Sequence, residues 1–147
     1  MAIYFYVPAD EHGYLSNFSQ HGFAVEGVYW PTVEHFFQGQ KSLDANERDH
    51  IGRARSAKEA KARGRAVRLR PDWEEIKEVA MITGLRAKFQ AHPDIATRLV
   101  ATGEETLVEA APGDYYWGAG ADGTGKNRLG VLLMQVRSEL SASSQAT

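Results

Sequence analysis

Three helix-start signals, at Thr32, Ser56 and Asp72, constrain the fold of this 147-residue chain more than any other feature. Thr32 follows Pro31 and precedes Val33, Phe36 and Phe37, which predicts a first helix running from Val33 towards Lys41. Ser56 with Glu59 three residues later is a capping-box pattern, predicting a basic helix from Ala57 to Arg63 with Gly64 as its stop. Asp72 with Glu75 repeats that pattern after Pro71, and Trp73, Ile76, Val79, Ala80, Thr83 and Ala87 recur at helical spacing as far as about Gln90. Two more amphipathic stretches run from Pro93 to a stop at Gly103 and from Asn127 to Leu140. Strand-like segments are Ala2 to Val7, Phe23 to Trp30 around a Glu26-Gly27 turn, and Thr106 to Ala111. The expectation is one compact α+β domain over residues 1–140, predominantly helical with a small sheet or hairpin. A cleft should join the first helix to a glycine-rich loop, and a Ser, Ala, Gln and Thr tail at 141–147 should fray because it has nothing to bury.

Composition removes several classes of function. With no cysteine, disulfides, thiolate nucleophiles and cysteine-held metals are excluded. No apolar run approaches the roughly 18 residues of a membrane span. The first Lys or Arg is Lys41, so the start of the chain lacks the positive charge of a secretory leader, and a cytoplasmic protein is expected. The five histidines, at 12, 21, 35, 50 and 92, show no metal-ligand spacing, so no metal is expected and His35 reads as a hydrogen-bonded helix residue.

The net charge of −2 conceals a polarised chain. Between Arg48 and Arg70 lie nine basic residues and two acidic ones, leaving 8 basic and 17 acidic groups elsewhere, a net −9. The basic segment reads either as a solvated face or as a clamp for phosphate. A +7 segment within an otherwise acidic chain suits a small phosphorylated ligand better than a long duplex, which the remainder would repel.

Three clusters carry possible chemistry. Glu34, Gln38 and Lys41 stand at i, i+4 and i+7, and so share one helix face. That stripe is either solvated surface or, among Trp30, Phe36 and Phe37, a desolvated carboxylate and amine with shifted pKa values. Asp114-Tyr115-Tyr116-Trp117 sets an acid beside three aromatics, either to hold a flat base near a carboxylate or to anchor a loop. The loop that follows contains Gly118-x-Gly120-x-x-Gly123 and Gly120-x4-Gly125-Lys126. Neither is convincing as a nucleotide motif. The first lies too near the C-terminus for a Rossmann unit, and the second has Asn127 where a P-loop needs Ser or Thr. What remains is the general capacity of small residues before a helix to present N–H groups to an anion.

Five blocks in order give a more specific signal. They are Leu15-Ser16-Asn17-Phe18, the run from Trp30 to Lys41, Arg70-Pro71-Asp72-Trp73, Asp114 to Gly118, and Gly125 to Gly130 followed by Leu133-Met134. Together they resemble the NADAR (YbiA-like) family over residues 3–140. The resemblance implies a cofactor-independent N-glycosidase acting on phosphoribosylaminopyrimidine intermediates of riboflavin biosynthesis and releasing ribose 5-phosphate. Alternatives are removal of ADP-ribose from guanine bases of nucleic acid, or a non-catalytic module binding NAD or ADP-ribose. It also implies Glu34, Lys41 and Asp114 as catalytic, and Asn17, Phe18, Trp73, Tyr116, Trp117, Gly118, Lys126 and Asn127 as substrate-binding, with no obligate protein partner. The family pattern has alanine where this chain has Gly39, a glycine that costs a helix interior about 1 kcal/mol.

Overall fold

The computed structural model describes residues 1–146, with an α+β fold of six helices and two small sheets. It contains two compact units, one of Asn17–Ala91 and the other of Met1–Ser16 with the segment from His92 onward.

The Asn17–Ala91 unit is built around one short helix. Strands β2 (Phe23–Val25) and β3 (Val28–Trp30) form an antiparallel hairpin, turning through Glu26 and Gly27, both at positive φ as a primed turn requires. Thr32 then caps α1 (Val33–Gly39), its hydroxyl accepting from His35 N–H. Every residue of α1 is buried, because α2 (Ala45–Gly52), α3 (Ala57–Gly64) and α4 (Trp73–Ala91) all pack against it. His35 fixes the arrangement. Its Nε2 lies 2.9 Å from the Ala54 carbonyl and must donate to it, so Nδ1 accepts from the Thr32 hydroxyl at 2.8 Å. Burial pushes the imidazole pKa below its ordinary value, in keeping with that neutral ring.

Helix α2 has no counterpart in the sequence reading. Ile51 is its only buried residue, so it shows no apolar periodicity, and the Asp44 cap on Glu47 N–H is its one local sign. The start of α4 also differs in detail from expectation. Asp72 does not cap Glu75; its carboxylate takes a two-point ion pair from Arg70. The expected stop at Gly64 works differently too. Its φ is not positive, and α3 ends on an αR cap at Arg65.

In the other unit β1 (Ala2–Phe5) pairs in parallel with β4 (Thr106–Glu109), and Phe5, Leu107, Leu129, Leu133 and Val136 are buried. Helix α5 (Pro93–Ala101) ends before Gly103, which takes φ +66, the expected glycine stop. Helix α6 (Arg128–Ala146) packs against β4 and α5. It continues through 141–146, where a frayed tail was expected, because Ser, Ala and Gln contain no helix breaker and alanine favours the helix. Thr147 lies outside the described residues.

Candidate active site

The carboxylate of Glu34 and the amide of Gln38 meet on α1, Gln38 Nε2 donating to Glu34 Oε1 at 2.9 Å. Both side chains are withdrawn from water, at 7 % and 3 % exposure, so the stripe is a desolvated site and not a solvated face. Lys41 lies just beyond the helix, which ends at Gly39 with Gln40 as its cap. Its ammonium stands 5.9 Å from the ring centres of both Phe37 and Trp73, which are themselves 5.1 Å apart. Burial lowers the Lys41 pKa from the usual lysine value; Glu34 opposes this, and the positive charges of Arg65 and Lys61 add to it. Lys61 on α3 and Arg65 at its C-cap stand four residues apart, and neither side chain makes an ion pair or hydrogen bond among the described residues. They were not singled out within the basic segment by sequence, although their i, i+4 spacing places them on one helix face. Four other basic residues there are committed locally, Arg53 to Asp49, Arg63 to Glu59, Arg70 to Asp72 and Arg48 to Gln40, while of the five uncommitted side chains only Lys61 and Arg65 act on Lys41.

Two more predicted residues adjoin this group. The Asn17 carbonyl accepts from Glu34 N–H at 3.1 Å, at the first turn of α1. Its side-chain nitrogen reaches Met81 Sδ, while its Oδ1 is buried without a hydrogen-bond partner. Phe18 beside it is partly exposed. Trp73 is nearly buried, forming with Phe37 the apolar wall under Lys41. A separate cavity of about 630 Å³ opens beside Phe36 and Gln40 of α1, between the hairpin, α2 and α4, and none of Glu34, Gln38 and Lys41 lines it.

The second predicted cluster lies in the other unit and is a folded loop with defined internal bonds. Asp114 Oδ1 accepts from Tyr116 N–H at 3.0 Å and from Trp117 N–H at 2.7 Å, closing a tight turn. Tyr116 and Trp117 meet edge to face at 4.8 Å, and Lys126 extends its ammonium over the Tyr116 ring. Gly120 needs its positive φ of +72 and has no room for a side chain, since a Cβ would strike the Tyr115 ring.

Here the expected phosphate cradle fails. The N–H groups of Asn127, Arg128 and Leu129 donate to the carbonyls of Gly118, Tyr116 and Trp117, so those donors at the head of α6 are already engaged. Gly118 is buried, and its carbonyl serves as one of these internal acceptors. Asn127, also expected to bind substrate, uses both amide atoms on β4, accepting from Glu109 N–H and donating to the Leu107 carbonyl. Among the described residues, no three His, Asp or Glu side chains converge as a metal site. No described helix is long and apolar enough to cross a membrane.

The NADAR domain profile matches residues 4–141, a span covering both units. The chain belongs to the NADAR family. This NADAR domain is 46 % identical over 140 residues to N-glycosidase YbiA of Escherichia coli, spanning 94 % of this chain and 88 % of that protein. It is 44 % identical over 145 residues to an N-glycosidase of Nostoc punctiforme, spanning 95 % of this chain and 93 % of the relative. A riboflavin biosynthesis protein of Vibrio vulnificus is 40 % identical over 94 % of this chain, but the match occupies only 38 % of that longer protein. The solution structure of E. coli YbiA superposes with a TM-score of 0.92 at 43 % identity, covering all of this chain and 89 % of that one. The predominantly helical α+β fold of the NADAR domain is therefore shared with YbiA.

Proposed function

We propose that this chain is an N-glycosidase that hydrolyses phosphoribosylaminopyrimidine intermediates of riboflavin biosynthesis to the free pyrimidine amine and ribose 5-phosphate. The observation that carries the reading is the desolvated Glu34 carboxylate, hydrogen-bonded to Gln38 and electrostatically coupled to Lys41, whose pKa is lowered. The names of the relatives, two N-glycosidases and one riboflavin biosynthesis protein, support the bond and the substrate class.

Breaking a C–N glycosidic bond develops positive charge on the sugar, and a carboxylate out of water stabilises that charge strongly. Glu34 takes this role, or activates the water that attacks C1′ as the departing nitrogen takes up a proton. Lys41 offers a second route. Its lowered pKa raises the neutral fraction of an amine able to attack C1′ of the ring-opened sugar; the pyrimidine amine leaves with a proton, and water hydrolyses the resulting imine. Asp114, in the other unit, is the further carboxylate that the NADAR pattern offers, and Oδ2 is its available oxygen because Oδ1 is held by its own turn. Trp73 and Phe18 supply flat apolar surface in the Asn17–Ala91 unit, and Tyr116 and Trp117 supply it in the other. Asn17 stands beside Glu34 as the candidate contact for a sugar hydroxyl, Lys61 and Arg65 provide positive charge for the phosphate, and Lys126 carries positive charge in the other unit.

Incubation with a panel of N-ribosides, with release of free sugar and free base monitored, tests the reading. Phosphorylated aminopyrimidine ribosides should be cleaved, and Glu34→Gln should lower kcat about 100-fold or more while staying folded. Near-wild-type turnover by that variant overturns the assignment of Glu34. Borohydride added during turnover should leave the sugar on Lys41 if the imine route operates, and no adduct assigns the reaction to direct attack by water. Faster release of ADP-ribose from a modified guanine than of sugar from any mononucleotide would replace the substrate class.

A further inference from the structure

Gly64 stands in the middle of no turn. It lies in α3 with a helical backbone that any residue can adopt, so conformational freedom does not explain it. Its environment does. A Cβ at residue 64 would lie 2.1 Å from Gln38 Oε1 and 2.8 Å from Gln38 Cδ, both part of a side chain held on α1. Two Gln38 atoms are thus fixed by different neighbours. Its nitrogen donates to the Glu34 carboxylate, and its oxygen lies buried against the bare Cα of Gly64 with no hydrogen-bond partner. A buried carbonyl without a donor is unfavourable, and the simplest relief would be to turn the amide over. That turn would set Oε1 against the Glu34 carboxylate oxygen, two acceptors facing each other. The amide therefore stays in the orientation that serves Glu34 in its ionised form, at the expense of its own oxygen.

We propose that Gln38 is a positioning residue for the reaction. Its amide clamps Glu34 as a carboxylate in one rotamer, and the missing side chain at Gly64 is the space that lets the clamp form. The proposal rests on the catalytic role of Glu34 given above. An amide N–H can donate to a carboxylate but cannot give up its proton to one, so the clamp favours Glu34 as an anion facing developing positive charge and disfavours it as a proton donor to the leaving group. A clamp of this kind acts on the transition state more than on substrate binding.

The experiment compares Gln38→Met, Gly64→Ala and Glu34→Gln, alone and combined, by single-turnover and steady-state kinetics on the phosphorylated aminopyrimidine riboside. Gln38→Met keeps the volume and removes the donor. It should lower kcat at least tenfold while KM changes less than threefold, with a folded protein by circular dichroism. In the Glu34→Gln background the same change should cost less than twofold, because the group it positions is gone. Gly64→Ala should reproduce the loss in kcat by displacing the amide; should that variant fail to fold, Gln38→Met still decides. A kcat for Gln38→Met within twofold of wild type, or an equal loss with and without Glu34, overturns the clamp. Full activity of Glu34→Gln instead overturns the reading beneath it.

Discussion

At Gly39, the cost of glycine in a helix is outweighed by contact. A Cβ there would lie 2.6 Å from the Trp30 ring, which is itself buried and set edge to face on Phe36 at 5.7 Å. Alanine would gain about 1 kcal/mol of helix propensity and lose about 1–3 kcal/mol to overpacking. Gly39→Ala should therefore lower the urea midpoint with an unchanged slope; a raised midpoint would show that Trp30 can give way. Lys88 is a second case in which the residue type misleads. It is fully buried on α4, its ammonium 5.3 Å from the Phe89 ring centre, and burial lowers its pKa to about 7. The unfolded chain, with an ordinary lysine, binds more protons between pH 7 and 10. Unfolding free energy should therefore rise by about 1.4 kcal/mol per pH unit across that window from this group alone. Below pH 7 both states are protonated and the penalty on the fold is complete. Lys88→Met should abolish that slope, read from denaturation at pH 7, 8.5 and 10.

Among the elements, the turn into α6 shows most clearly how side chains replace regular structure. Asn127 occupies the left-handed region at φ +51, and its amide staples the start of α6 to β4 through Glu109 N–H and the Leu107 carbonyl. Asn127→Gly keeps the backbone and loses both bonds, which should cost about 1–3 kcal/mol. Asn127→Ala adds the strain of a left-handed alanine, about 1 kcal/mol more. Thermal unfolding should rank wild type, Gly and Ala in that order, and Ala at or above Gly would remove the strain argument. The caps at Thr32 and Ser56 were legible in sequence because each bond spans three residues: Thr32 to His35 and Ser56 to Glu59. The Asp72 cap was misread because the nearer cation, Arg70, takes both carboxylate oxygens. Helix α2 was missed because one buried Ile51 leaves no period to detect.

Over the whole molecule, the polarised charge gains a specific meaning once four of the nine basic residues, Arg48, Arg53, Arg63 and Arg70, are seen to be paired locally. Of the five that remain, Lys61 and Arg65 act on Lys41. Substituting either with alanine should raise KM for a phosphorylated riboside about tenfold and leave KM for its dephosphorylated counterpart nearly unchanged. Equal effects on both substrates would place the phosphate elsewhere. Arg65→Gln also removes a charge that lowers the Lys41 pKa, so if Lys41 attacks as the neutral amine, the rise of kcat with pH should move to higher pH. Sequence by itself determined the family, the predominantly helical α+β class and the shared helix face of Glu34 and Gln38, because these rest on local spacing: helix caps, helical period and motif order. Only the tertiary structure decided that the α1 stripe is desolvated, that the glycine loop has its leading N–H groups engaged, and that Gly39 and Gly64 exist to admit Trp30 and Gln38. Those facts depend on contacts between segments far apart in the chain, which spacing along a single segment does not encode.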